Sequence, residues 1–289
     1  MKITFLGTGA AEQYPGIWCK CDYCSYAREK GGRNIRFTSS IHFADTCLID
    51  FPADIFNKAL QYKIDLLPTE LLLCTHSHED HFNPQMLYWR YKHYGVDKIP
   101  GDEKYNAPCA RFTDLPLMRI YGNRKIFNKM EHIFHDRELA DYALDFCIPE
   151  AYREYHHNDV DFIPMIASHS DTAGERGLIY LIHAQNKTFI YATDSDKYID
   201  RTRDCIKAHK VDAVIMEATF GTRVMGGHMT LNRVKEEVDF FLESSIFTGE
   251  PRVILTHMSP HRCPPYDKLV EILKGTCMES AWDGMVVDL

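Results

Sequence analysis

The stretch Thr75-His76-Ser77-His78-Glu79-Asp80-His81 follows the apolar run Leu71-Leu72-Leu73-Cys74 and contains four side chains that can bind a metal ion. The apolar run predicts a buried strand. A sharp turn after it would let the first two histidines face one ion while the aspartate and the last histidine face another. Two cations a few ångströms apart can bind both oxygens of a displacement at phosphorus or carbon. A single histidine would fit a surface turn or a core, but four ligands in this alternation favour a two-metal site.

Length and composition narrow the class of protein. The chain has 289 residues, of which 45% are hydrophobic and 26% charged, and we expect a single globular α/β unit over residues 1–289. The formal net charge of −8 gives no general basic surface for a nucleic-acid backbone and favours a small substrate. The N-terminus has too short an apolar run for a signal peptide, and no segment reaches the roughly 18 apolar residues of a membrane span. We therefore expect a cytoplasmic protein with no membrane partner.

Three of the ten cysteines lie close together, in Cys19-Lys20-Cys21-Asp22-Tyr23-Cys24. In a reducing compartment, thiols at this spacing favour one tetrahedral structural zinc over disulfides, with a fourth ligand from elsewhere in the chain. The alternative is a cluster of free or redox-active thiols. A closed four-ligand site has no open position for a substrate, so this zinc would hold a loop in place.

The first half of the chain predicts strands and turns around the central motif. Residues 2–6 predict a strand, and Gly7-Thr8-Gly9 after it is interpreted as a tight turn near the site, because no Gly-x-Gly-x-x-Gly pattern follows. Residues 39–43 and 47–50 predict paired strands. Asp50, which ends the second of them, either caps the next helix or orients metal ligands.

The middle of the chain is interpreted as an insertion around residues 84–150. Residues 84–94 predict an aromatic helix, residues 95–113 a loop-like stretch rich in Gly, Pro and charge, and residues 124–146 a helix by their apolar spacing. This excess length is where substrate choice or the subunit contacts of a homodimer could be encoded.

Further candidate ligands stand at the ends of strands in the second half. Residues 162–167 predict a strand that leads to His169, and residues 177–182 and 188–194 predict a hairpin that ends at Asp194. Residues 252–257 predict a strand that ends in Thr-His, as the strand before His76 does. This internal echo fits a sandwich of two related β-layers.

His-x-His-x-Asp-His directly after an apolar strand resembles the signature of the metallo-β-lactamase fold, a superfamily of mostly hydrolytic two-metal enzymes. The resemblance implies a four-layer αββα sandwich of two mixed β-sheets flanked by helices. It also implies that Asp50 orients the ligands from behind. It assigns the ligands of one ion as His76, His78 and His169, those of the other as Asp80, His81 and His257, and the bridge as Asp194. Such ligands accept zinc, manganese or iron, so the ligand type does not choose the metal.

Two later segments, Glu217-Ala218-Thr219-Phe220 and Gly227-His228-Met229-Thr230, resemble the phosphodiesterase branch of this fold, which includes transfer-RNA tail-processing endonucleases. The resemblance implies that His228, held by the acid Glu217, protonates or stabilises the leaving alkoxide. A general acid of this kind supplies roughly a hundredfold or more in rate. Asp80 is a further candidate catalytic residue. Taken alone, His228 would be a surface histidine in a glycine-rich loop.

The cysteine cluster and the segment Trp282-Asp283-Gly284-Met285 resemble one branch in particular, the cyclic phosphodiesterase of bacterial phosphonate breakdown, which opens phosphoribosyl 1,2-cyclic phosphate. In that family a histidine just beyond the last active-site histidine completes the structural zinc. The resemblance implies that His261 has this role here, one residue later than the usual spacing, with Cys263 as the reserve.

These observations predict a metal-dependent hydrolase that cleaves a small, cyclic phosphodiester. The predicted reaction is attack on phosphorus by metal-bound hydroxide, with His228 assisting the leaving group. A lactone or thioester hydrolase of the same fold is one alternative, because the fold alone does not fix the substrate. A non-catalytic metal-binding sensor is an alternative of another class. The negative charge and the lack of a long Gly/Pro-rich arm argue against a transfer-RNA endonuclease.

Overall fold

The computed structural model describes residues 1–91, 115–170, 174–223 and 226–289, which form two mixed β-sheets of seven strands each. In the order in which they pair, the strands of the first sheet are β14 (Val286–Asp288), β1 (Lys2–Gly7), β2 (Ser40–Phe43), β3 (Cys47–Ile49), β4 (Leu71–Leu73), β5 (Met118–Tyr121) and β6 (Leu144–Cys147). Those of the second sheet are β13 (Met278–Ser280), β12 (Val253–Thr256), β11 (Ala213–Glu217), β10 (Lys187–Ala192), β9 (Arg176–Ala184), β8 (Val160–Ser170) and β7 (Tyr155–His157).

Helices lie against the outer side of each sheet. The α-helices are α1 (Asp22–Lys30), α2 (Ile55–Tyr62), α3 (Arg124–Ile133), α4 (Asp200–Lys207), α5 (Leu231–Glu243) and α6 (Tyr266–Leu273). Short 3₁₀-helices span Gly32–Asn34, Pro84–Arg90 and Leu139–Tyr142. Among the described residues, no helix has the length and apolar character that crossing a bilayer requires.

Alternation along the strands explains the layers. On β4, Leu71 and Leu73 pack into the core between the sheets, whereas Leu72 faces the outer core under α2 and α3. On β10, Phe189 points between the sheets and Ile190 faces the outer core under α4 and α5. Successive side chains of a strand point to opposite faces, so strands that are apolar throughout are buried on both sides. The predicted αββα sandwich is therefore confirmed.

The middle of the chain differs from the prediction in one respect. Asn123 caps α3 through a bond from the amide of Ile126 to its side-chain oxygen, but the helix ends at Ile133. Residues 144–147 then form β6, which pairs in parallel with β5. The prediction of one helix over residues 124–146 was wrong, because pairing at the sheet edge outweighed the helical spacing. The helix predicted over residues 84–94 is a 3₁₀-helix over Pro84–Arg90, and Tyr91 lies beyond its end. Residues 92–94 of that prediction and the loop predicted over residues 95–113 lie outside the described residues.

Candidate metal centre

The seven predicted active-site ligands come together at one edge of the sandwich. His76 follows β4 of the first sheet, and the turn after it carries the rest of the motif. In the second sheet, His169 lies near the end of β8, Asp194 follows β10 by two residues, and His257 directly follows β12. The pattern that β4 and β12 share thus places Thr75-His76 of the first sheet and Thr256-His257 of the second at the same edge.

The first predicted set of ligands, His76, His78 and His169, is compact. Nε2 of His76 lies 2.9 Å from Nδ1 of His78. The ring centroid of His169 lies 5.5 Å from the centroid of each of the other two rings. One nitrogen from each ring falls within 4.8 Å of the others, a spacing that a single ion can bridge.

The second predicted set, Asp80, His81 and His257, is also brought together. Nε2 of His81 lies 3.3 Å from Oδ2 of Asp80 and 3.1 Å from Nε2 of His257. Nε2 of His257 lies 3.6 Å from the same Asp80 oxygen. All three side chains are buried, so their ligand atoms face one another in a region that water reaches poorly.

Asp194 lies between the two sets. Its Oδ1 is 3.9 Å from Nε2 of His76, and its Oδ2 is 2.9 Å from Nε2 of His81 and 3.0 Å from Nε2 of His257. One carboxylate thus reaches a ligand of each set, as the predicted bridge requires.

Two buried atoms test whether the site suits metal ions. Oδ2 of Asp194 forms no hydrogen bond to a described residue, although two imidazole nitrogens lie about 3 Å away. Nε2 of His169 is also buried without a partner among the described residues. Buried polar atoms are nearly always hydrogen-bonded, so donor atoms that converge without a hydrogen-bond partner fit the ligands of a metal ion. Imidazole and carboxylate donors suit zinc or manganese.

Three residues of the site have a backbone conformation that is uncommon for residues other than glycine. Asp50, Asp194 and His257 have φ values of 64°, 50° and 59°. A positive φ is costly for most side chains and persists only where the surroundings impose it. Each of these residues lies within two residues of the end of a strand of the site, so the strain lies where the candidate ligands are aimed.

Hydrogen bonds from behind orient the second set. Asp50 accepts bonds from Nδ1 of His81 at 2.6 Å and from the amide of Thr75 at 2.8 Å. Helix α2 begins at Ile55, and Asp54 occupies its N-cap position, so Asp50 holds His81, a candidate ligand, and does not cap the helix. Nδ1 of His257 pairs in the same way with the hydroxyl of Thr219 at 2.8 Å. Sequence reasoning did not single out Thr219, although it lies inside the Glu-Ala-Thr-Phe segment.

His228 and Glu217 form a pair beside the bridge. Nδ1 of His228 lies 3.1 Å and 3.2 Å from the two carboxylate oxygens of Glu217, and 3.8 Å from Oδ1 of Asp194. Glu217 is fully buried and also accepts bonds from the amides of Ser195 and Met229. Glu217 therefore fixes the residue after Asp194 and the residue after His228, as well as the imidazole ring itself.

Neighbouring charges and burial shift the pKa values of three histidines in the site. Burial opposes the charged form of His228, but Glu217 outweighs it and raises the pKa of the imidazole above its usual value. For His257, burial is again overcome, here by Asp194 and Asp80, and the pKa rises to about 10. Burial and the neighbouring His81 hold the pKa of His76 well below its usual value.

The three thiols of the cysteine cluster also converge. The sulfur atoms of Cys19, Cys21 and Cys24 lie within 4.8 Å of one another. The side chain of Arg28 donates to the backbone carbonyls of Cys19 and Gly16, each at 2.6 Å, and so fastens the loop that carries the thiols. Three thiolates at this spacing fit three corners of a zinc tetrahedron.

The two candidates for the fourth corner lie in different surroundings. A Cβ at Gly16 would lie 3.2 Å from Cγ of Pro260 and 3.3 Å from Cβ of Cys19, so the chain next to His261 touches the thiol loop. His261 is partly exposed. Cys263 is fully buried in the apolar core of the second sheet, where burial raises its pKa to about 12. These positions favour His261 over the reserve.

Comparison with known proteins identifies the fold. No family model and no curated protein matches the sequence. The structure is similar to a diphosphatase of the PhnP family, with a TM-score of 0.70 and 19% identity over 99% of this chain and 97% of that chain. It is similar to zinc-bound PqqB from Methylobacterium extorquens, with a TM-score of 0.68 and 16% identity over all of both chains. It also matches the metallo-β-lactamase fold protein YhfI from Bacillus subtilis, with a TM-score of 0.65 and 14% identity over 99% of each chain.

These matches cover whole chains at low identity. They confirm the predicted metallo-β-lactamase fold and its resemblance to the PhnP family. The fold and the converging ligands together define the class of protein, a metallo-β-lactamase-fold chain with a candidate binuclear metal centre.

Proposed function

We propose that this protein is a metal-dependent hydrolase that cleaves a small, cyclic phosphodiester. The observation that carries the proposal is the His228–Glu217 pair beside the two ligand sets. Nδ1 of this imidazole lies 3.1 Å from Glu217 and 3.8 Å from Oδ1 of Asp194, the carboxylate between the two sets. Cleavage of a phosphodiester expels an alkoxide, a poor leaving group that needs a proton. The similar PhnP-family structure is that of a diphosphatase, which supports chemistry at phosphorus.

The chain would hold one ion with His76, His78 and His169, a second with Asp80, His81 and His257, and both with Asp194. Divalent cations in these positions would activate water and neutralise the charge that develops on the phosphoryl oxygens.

His228 would then act as the general acid. Its Nδ1 faces Glu217, so Nε2 carries the proton that is given to the leaving oxygen. The carboxylate stabilises the imidazolium before transfer and holds the ring in one tautomer. General acids positioned in this way contribute roughly 10²–10⁴-fold in rate.

The surroundings of the site favour a small substrate. A pocket of about 390 Å³ opens beside His169 and is lined by Ser168, Asp196, Lys197 and Gly227. This volume is near the lower end of the range for small-molecule sites. Lys197, whose ammonium lies 3.9 Å from a carboxylate oxygen of Glu236, would offer a positive charge to a phosphate, whereas the net charge of −8 opposes a long polyanion.

Turnover of bis-(p-nitrophenyl) phosphate with added manganese or zinc tests the reaction class. We expect hydrolysis that is lost on chelation and in Asp80→Ala, and retained in His183→Ala, a matched control on the exposed end of β9. An array of 1,2-cyclic, 2′,3′-cyclic and 3′,5′-cyclic phosphates then narrows the substrate. Turnover of lactones or thioesters alone would contradict the proposal in favour of another hydrolase. If the protein binds both ions and turns over no phosphodiester, lactone or thioester, a non-catalytic metal-binding sensor would be favoured.

A further inference from the structure

The backbone directly after His257 is held by the turn that follows β1. The amide of Met258 donates to the carbonyl of Thr8 at 3.0 Å, and the amide of Ala10 donates to the carbonyl of Met258 at 3.1 Å. Both backbone groups of the residue next to the ligand are therefore bound. Because His257 has a φ of 59°, a conformation that its surroundings must impose, this turn helps to set the direction of the imidazole.

The turn itself is pressed against the chain before β2. A Cβ on Gly7 would lie 1.9 Å from the carbonyl oxygen of Thr38, and one on Gly9 would lie 2.9 Å from that of Phe37. The amide of Gly9 donates to the same Phe37 carbonyl at 2.7 Å. The glycines of Gly7-Thr8-Gly9 thus permit two backbones to touch. The side chain of Thr8, between them, makes other contacts.

That side chain connects a buried guanidinium to a partly buried carboxylate. The hydroxyl of Thr8 accepts a bond from Nη1 of Arg36 at 2.7 Å and donates to Oδ1 of Asp283 at 2.6 Å. Arg36 is fully buried, and Nη1 also donates to the carbonyl of Ala281. Bonds to charged groups are roughly twice as strong as neutral ones, so the Arg36–Thr8–Asp283 bridge fixes Thr8 from both sides.

Asp283 completes the connection through its second oxygen. This oxygen accepts the amide of Phe37, whose carbonyl holds Gly9. Gly284 has a φ of 86° and donates its amide to the carbonyl of Phe5 at 2.8 Å. A Cβ on Gly284 would lie 2.6 Å from a ring carbon of Tyr62. The backbone of Gly284 therefore places the carboxylate of Asp283 against the Gly7-Thr8-Gly9 turn.

We propose that Asp283 and Arg36 act through Thr8 as positioning residues for His257, and so determine the affinity of the Asp80, His81 and His257 position for its metal ion. The proposal rests on the metal centre of the proposed function, but not on the substrate or the reaction. The bridge touches none of the ligands. Its effect passes along the backbone from Thr8 to Met258.

Zinc titration of chelator-stripped protein against a chromophoric chelator tests this proposal. Thr8→Val keeps the shape of the side chain and removes the hydroxyl, and Asp283→Asn keeps the shape and removes the charge. Residues bonded directly to a metal ligand typically change metal affinity by about 10–100-fold, and this more distant bridge should give a loss at the lower end of that range. We expect such a loss in one zinc equivalent only, the same equivalent that His257→Ala removes. Thr8→Ser, which restores the hydroxyl, should bind zinc as the unaltered protein does.

Asp212→Asn is the matched control, because Asp212 accepts bonds from the amide of Thr188 and from Lys187 at the far end of the second sheet. It should keep every zinc equivalent. Folded Thr8→Val and Asp283→Asn proteins with unaltered zinc affinity would overturn the proposal, as would an equal loss at all positions. Turnover is not measured, so an inactive protein that binds zinc as expected would refute the proposed function and leave this inference intact.

Discussion

Oδ2 of Asp194 lies 2.9 Å from Nε2 of His81, yet it forms no hydrogen bond to a described residue. The same carboxylate reaches His257 with Oδ2 and His76 with Oδ1. These distances fit a group that binds two cations and not one that pairs with a single histidine.

The first prediction follows from this shared position. Asp194→Ala should weaken both active-site ions together, because it removes a ligand from each, while the thiol-bound zinc stays in place. Metal content after dialysis, measured by elemental mass spectrometry, should fall by two ions per chain. Asp212→Asn should retain all three. Loss of one ion only would show that Asp194 serves a single position.

The second prediction concerns Asp50, which holds His81 from behind. Asp50→Asn should lower affinity for the second ion by about 10–100-fold, because it disturbs the tautomer and direction of the imidazole. Asp50→Ala should also destabilise the fold, since each buried donor left without a partner costs about 1–3 kcal/mol. Zinc competition and denaturant unfolding measure the two effects. Asp45→Asn, in the exposed turn between β2 and β3, should change neither. Unaltered zinc affinity in both Asp50 variants would contradict the assigned role.

The ligands were predictable from the sequence because they follow apolar strands. The apolar runs placed His76, Asp194 and His257 at strand ends, His76 in the first sheet and the other two in the second. The resemblance then supplied the grouping into two sets. Local patterns, a motif of six residues and the family resemblance were therefore sufficient to predict the fold and the convergence of the candidate ligands.

What supports the ligands was not predictable, because it depends on pairs that are distant in sequence. From the sequence, Asp50 fitted a helix cap as well as a residue that orients a ligand. Only the structure shows that it contacts His81. Thr8 and Asp283 are separated by 275 positions, and neither has a local pattern that indicates the other. The helix expected over residues 124–146 failed for the same reason, since β6 forms only when β5 is beside it.

The third prediction concerns the thiol cluster. His261→Ala should lower the zinc content by one ion and lower Tm, while two active-site ions remain, because the loop loses the link that holds it. Cys263→Ser should keep all zinc, since its thiol lies in the apolar core. Cys277→Ser, at a partly exposed cysteine outside the cluster, is the control. Full zinc retention in both the His261 and Cys263 variants would refute a fourth ligand from this segment.

The last prediction separates proton donation by His228 from a purely positioning role. His228→Ala should keep both active-site ions, because the bridge and the two ligand sets remain, and should lower kcat with little change in KM. The loss should depend on the leaving group. For an alkyl phosphodiester, whose alkoxide needs a proton, we expect about 10²–10⁴-fold. For bis-(p-nitrophenyl) phosphate the loss should be much smaller, because p-nitrophenolate departs without protonation.

Glu217→Gln extends the same test. The amide can still accept from the backbone of Ser195 or Met229, so the loop should hold, but the charge that stabilises the imidazolium of His228 is gone. Its rate loss should therefore follow the same leaving-group dependence at a smaller amplitude. His183→Ala should lose no rate on either substrate. If His228→Ala slows the alkyl and the p-nitrophenyl substrates by equal factors, the imidazole only positions the substrate, because a donated proton cannot matter equally to leaving groups of such different basicity.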